Sequence, residues 1–93
     1  MCRICNNDYQ GRTNLQLKCD KIKEIPNILE LRSLYIFNCT YLKKIYNING
    51  LRSLEIHNCQ NIKGIPNNIT ISRLLIRNCN NIKKIHNFQN FLF

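Results

Sequence analysis

Three consecutive stretches of this chain can be written under one another without a gap. They are LRSLYIFNCTYLKKIYNING (31–50), LRSLEIHNCQNIKGIPNNIT (51–70) and ISRLLIRNCNNIKKIHNFQN (71–90). Apolar residues fall into columns. Leu31, Leu51 and Ile71 open the copies, Leu34, Leu54 and Leu74 follow, and then come Ile36, Ile56 and Ile76. Asn-Cys pairs recur at Asn38-Cys39, Asn58-Cys59 and Asn78-Cys79, and two further columns hold Leu42, Ile62, Ile82 and Ile45, Ile65, Ile85. A fixed period of roughly 20–50 residues specifies a solenoid, because one such unit can bury its apolar face only against the next. Leu34-x-Ile36 alternates with period two, as a strand with one face inward does. The residues left before the next strand are too few for a long helix. They predict turns, extended backbone or a short 3₁₀ piece on the return path. Successive strands are then parallel neighbours, about 4.8 Å apart.

The spacing L-x-x-L-x-L-x-x-C-x-x-L, filled by Leu31, Leu34, Ile36, Cys39 and Leu42 and by their equivalents in the next two copies, resembles the leucine-rich-repeat family in a short, cysteine-containing form. The NC-x-x-[LI]-K-x-I wording is similar to repeats of giant-virus repeat proteins and plant resistance proteins. The resemblance covers roughly residues 12–93. It implies an α/β-type solenoid that is mostly β. Such a solenoid is right-handed, with a parallel sheet on the concave face and short turns or 3₁₀ segments on the convex face. It also implies a non-catalytic protein–protein interaction module. Many members of that family hold a buried Asn where these cysteines stand. Here an Asn precedes each Cys, and which of the two points inward is open at the level of sequence.

Taken in order, residues 1–11 form a partial N-terminal cap outside the repeat, and 12–30 form a degenerate repeat. Leu15 and Leu17 match Leu34 and Ile36 at an offset of 19, whereas Ile22 and Ile25 match Leu42 and Ile45 at an offset of 20, so one residue is missing between Leu17 and Ile22. Pro26 suits an extended return path, with Ile28 and Leu29 supplying closing apolar contacts. Asn49-Gly50 marks a turn, and Asn67-Asn68 tolerates similar left-handed backbone at the equivalent place. Residues 91–93 start a further copy, with Phe91 in the column of Leu31, Leu51 and Ile71. Phe88, Phe91, Leu92 and Phe93 leave that end without a polar cap, which predicts self-association there or a docking partner.

The 93 residues make a single domain, and a net charge of +9 from 14 basic and 5 acidic residues is compatible with acidic partners or nucleic acid. No apolar run long enough for a membrane span or a signal peptide is present, so the expected location is intracellular and cytoplasmic, with the six cysteines mostly as thiols. Cys2-x-x-Cys5 is half a zinc motif, a redox pair or a set of capping thiols. Its second half is missing from the sequence, so no metal and no cofactor are expected. The column Cys39, Cys59, Cys79 reads as a ladder of buried thiols.

Strand residues facing away from the core, with the arginines that precede them, are the candidate protein-binding set: Arg32, Tyr35, Phe37, Arg52, Glu55, His57, Arg73, Leu75 and Arg77. Aromatics and arginine are the usual anchors of protein interfaces. A column of Lys23, Lys43, Lys63 and Lys83, with Lys44 and Lys84 beside it, is the alternative: a stripe for RNA or another anionic polymer. Catalysis has no constellation to rest on. His57 and His86 lie in different columns, no nucleophile stands beside Glu55 and His57, and the three glycines form no phosphate loop, so the chain is not expected to be an enzyme.

Overall fold

The structure is a computed structural model and describes residues 9–66, 70–82 and 91–92. Seven strands follow one another: β1 (Asn14–Leu17), β2 (Glu24–Ile25), β3 (Ser33–Phe37), β4 (Lys44–Ile45), β5 (Ser53–His57), β6 (Arg73–Arg77) and β7 (Phe91–Leu92). They build a β-solenoid with two parallel sheets. The long sheet has the order β1-β3-β5-β6-β7, and the short one is β2-β4. No helix and no 3₁₀ segment occurs among the described residues, so the α/β-type expectation is corrected to a solenoid of strands and turns. The reason lies in the length of the return path. After the strand, the turn and β4 there is no run of residues left over to complete helical turns.

Parallel pairing in β3–β5 and β5–β6 carries the 20-residue offset read from the columns, as in Leu34↔Leu54↔Leu74. The first coil keeps the predicted irregularity. Leu15 pairs with Leu34 at an offset of 19, while Ile25 pairs with Ile45 at an offset of 20, so the missing residue falls in the turn between β1 and β2. The last strand departs from expectation. Phe91 pairs with Leu74 and Leu92 with Leu75. Phe91 therefore stands at the register of the inward leucines and not in the column of Ile71. Three residues fewer separate β6 from β7 than the period demands, so the sheet closes by slipping the register. Phe88 and Phe93 lie outside the described residues, as do Asn67-Asn68, Ile85 and His86.

The core is the set of inward columns. Leu34, Ile36, Leu54, Ile56, Leu74 and Ile76 are fully enclosed, as are Leu31, Leu42, Leu51 and Ile62. Each such side chain contributes about 1.5–3 kcal/mol of burial. Ile28, expected as an apolar contact, and Ile48, which the alignment leaves unread, form a further core column. Beside Ile28, Leu29 is 71% exposed, so of the two apolar contacts expected after Pro26 only Ile28 is made. Ile65, expected inward like Ile45, is half-buried against the core edge.

Turns explain how so short a coil closes. Gly50, with φ 83°, is the third residue of a turn in which the Leu51 N–H donates to the Ile48 carbonyl at 3.1 Å. This is the position of a β-turn that requires left-handed backbone. Glu30 stands at the same place in the preceding coil with φ 71°, and Gly11 one coil earlier with φ 77°. The turn Tyr9–Arg12 is closed by the same N–H to carbonyl bond, so the repeating geometry reaches back to Tyr9, into the stretch expected to be cap. Cys2 and Cys5 lie outside the described residues.

Candidate binding face

Period-two alternation in β3, β5 and β6 sends Leu34/Ile36 and their equivalents inward, so the residues between them face out. Pairing then fixes a grid. Ser33, Ser53 and Arg73 form one column, Tyr35, Glu55 and Leu75 the next, and Phe37, His57 and Arg77 the third. The central column is half-buried throughout, as are Phe37 and His57, while Arg73 and Arg77 are exposed. The Phe37 and His57 rings stack with centroids 4.8 Å apart and planes at 10°. His57 Nε2 lies 3.2 Å from Glu55 Oε1, so the imidazole is fixed both over the Phe37 ring and beside a carboxylate. Among the described residues this is the only close contact between a carboxylate and a histidine, lysine or arginine side chain. Gln16 and Lys18, on the first coil, are exposed.

The structure thus brings Tyr35, Phe37, Glu55, His57, Arg73, Leu75 and Arg77 onto one surface. The two arginines that precede the strands behave differently. The Arg32 guanidinium lies against the turn of the next coil, where a Cβ on Gly50 would come within 2.6 Å of its Nη1, and it donates to the Leu31 carbonyl at 3.3 Å. Arg52 is exposed at the entry to β5, and its carbonyl accepts the N–H groups of Ser72 and Arg73.

At the far end of the strands the Asn-Cys question is resolved. Asn38, Asn58 and Asn78 take left-handed backbone, with φ 54°, 57° and 55°. Asn accepts that conformation more readily than most side chains. Its amide points out and Cys points in. Asn58 Nδ2 donates to Asn38 Oδ1 at 3.0 Å, and Asn78 Nδ2 to Asn58 Oδ1 at 2.9 Å. A second set of amides ties the following turns: Asn61 Nδ2 donates to the Thr40 carbonyl at 2.6 Å and Asn81 Nδ2 to the Gln60 carbonyl at 2.5 Å. The Asn repeated at 38, 58 and 78 was the sequence signal for the first ladder, although it does not tell which way the amide turns.

Cys39 and Cys59 are fully buried and Cys79 nearly so, and all are free thiols. Each Sγ donates to the carbonyl two residues back, at 3.5 Å for Phe37, 3.3 Å for His57 and 3.3 Å for Arg77. The three stacked thiols shift one another's titration. Cys59, in the middle, is pushed well above the ordinary thiol range by its hydrogen bonds to Cys39 and Cys79 and then by burial. The same bonds lower Cys39 to about 7 and Cys79 to about 6, with burial opposing. No group of three or more metal-binding side chains that could hold an ion occurs among the described residues.

On the opposite side, Lys23, Lys43 and Lys63 are exposed one above another, and the Lys43 N–H donates to the Lys23 carbonyl at 2.8 Å. Lys44 is turned away from this stripe, with its Nζ 4.4 Å from the centre of the Tyr46 ring. Lys83 and Lys84 lie outside the described residues. No helix among the described residues is long and apolar enough to cross a membrane. No protein-family model matches the chain, and no curated protein and no solved structure matches it either.

Proposed function

We propose that the chain is a non-catalytic module of leucine-rich-repeat type that binds another protein across the outward face of the long sheet. The observation that carries this reading is a parallel sheet with one face uncovered among the described residues. Parallel sheets are usually covered on both faces, yet here one face presents Tyr35, the Phe37–His57 stack and Leu75, with exposed Arg73 and Arg77 at its margin. Half-buried aromatics rimmed by arginine are the composition of interface anchors. Their rings are already held in place by stacking and by the Glu55 contact, so little side-chain freedom is lost on binding. The His–carboxylate pair is read as part of the packing of this face. The test is a photo-crosslinker at position 75, with capture compared between the parent protein and a Phe37→Ala, Arg77→Glu double variant. Crosslinked partners are expected to disappear in the variant. Unchanged capture rules out this face.

A second reading has one observation in its favour, the exposed stripe of Lys23, Lys43 and Lys63. It makes the other side a track for RNA, whose binding falls steeply with salt. Filter binding at low salt separates the two readings. RNA retained by the parent and lost uniformly in Lys43→Gln, Lys63→Gln would replace the protein-binding proposal.

A further inference from the structure

We infer that the occupant of the outward face is an extended acidic protein segment, with carboxylates four residues apart around an apolar residue. This rests on the reading of that face as a protein-binding surface. Strand β6 presents Arg73, Leu75 and Arg77 on the same side, the arginines exposed and the leucine half-buried between them. Neither arginine has a carboxylate partner among the described residues, because the one acidic side chain of the face, Glu55, is engaged by His57. The face is therefore a positive pair around an apolar point, in a chain of net charge +9.

The spacing selects the ligand's shape. Residues i and i+4 of a strand are about 13 Å apart, at 3.3 Å per residue. An extended segment lying along β6 has the same rise and the same alternation. Its residues i, i+2 and i+4 all point at the sheet, so an acidic–x–apolar–x–acidic sequence sets carboxylates over Arg73 and Arg77 and an apolar side chain over Leu75. In a helical segment residues i and i+4 are only about 6 Å apart, so carboxylates at that spacing meet both arginines only when the segment is extended. The planar guanidinium matches a carboxylate in a forked pair, which favours arginine at these places over lysine. Neighbouring Phe37 and His57 extend the apolar footing along the solenoid axis.

The test uses fluorescence anisotropy with full-length protein and labelled peptides built on Glu-Ser-Φ-Ser-Glu, where Φ is Leu, Phe or Tyr, between neutral flanks. Controls are the same peptides with Lys for Glu, a rearranged peptide with the two Glu adjacent, a neutral peptide with Gln for Glu, and polyuridine. The spaced acidic peptides are expected to bind best, and Arg73→Glu, Arg77→Glu to weaken them about tenfold, the sum of two exposed charge pairs. The Lys peptides are expected to bind that charge-reversed variant better than they bind the parent, which shows that the variant is folded. Equal binding of neutral and acidic peptides, lost in Phe37→Ala, overturns the acidic motif and leaves the protein-binding face standing. Binding of polyuridine alone overturns both, and binding of no peptide overturns the motif.

Discussion

The two sides of the solenoid obey the same period with very different strictness. On the long-sheet side, three strands of five residues pair without a slip, and every inward position holds Leu or Ile. On the other side, the strands β2 and β4 are two residues long, and the place of Lys44 is taken in the next copy by Gly64. Pro26 and Pro66 alternate there with Tyr46. Repetition is thus enforced where a side chain is wedged between coils above and below, and relaxed where the backbone only turns. The lesson concerns function as well. The strict side also carries the face that differs most from coil to coil, because outward residues are free to vary once the inward ones fix the strand.

The strongest way to break this contrast is to cut into both sides. Leu54→Ala, at the centre of the long sheet, is expected to cost about 3–4 kcal/mol, since a fully enclosed site flanked by β3 and β6 cannot collapse. Ile45→Ala, on the two-stranded side, is expected to cost about 2 kcal/mol, at the low end for such a change. Urea denaturation measures both. Equal costs would show that the two sides share one rigid core.

Next in size is the Asn column. Asn58→Ala loses the amide ladder and leaves in left-handed backbone a residue that tolerates it less readily than Asn, for an expected loss of about 1–2 kcal/mol. Asn58→Gly keeps the backbone easy and loses only the ladder, so it is expected to cost less, and the difference between the two variants measures the strain. If Gly is as costly as Ala, the amide bonds alone hold the turn.

Glu30 and Gly50 occupy the same turn position, but Glu30 pays for its φ of 71° and Gly50 does not. Glu30→Gly is accordingly expected to stabilise the protein, by about 0.5–1 kcal/mol, and to raise the urea midpoint. A fall in stability would mean that the Glu30 side chain contributes more than the strain removes. The smallest effect is expected for Gly64→Lys, which restores the lysine found one coil earlier. With no atom within 4 Å of an added β-carbon, stability should move by less than about 0.5 kcal/mol.

How legible each part was follows from the same contrast. The 20-residue period, the parallel pairing, the inward Leu and Ile columns and the single deletion between Leu17 and Ile22 could all be read, because burial imposes a fixed spacing on residues of one chemical kind. The outward set Tyr35, Phe37, Glu55, His57, Arg73, Leu75 and Arg77 followed from alternation alone. Contacts within that set did not. The stacking of His57 on Phe37 and the departure of Arg32 to the Gly50 turn depend on rotamers, which the coil above and below selects.

The sequence by itself determined a solenoid and the positions of β1, β3, β5 and β6, since side-chain period and coil length are properties of the chain's order. The tertiary structure alone decided that Asn faces out and Cys in, that Ile48 is core while Leu29 is exposed, and that Phe91 pairs with Leu74. The first two outcomes turn on backbone φ and turn geometry at single residues, where neighbouring positions of similar chemistry compete for the inside. The third turns on the backbone hydrogen bonds that an edge strand leaves open, which the next segment satisfies at whatever register its length allows.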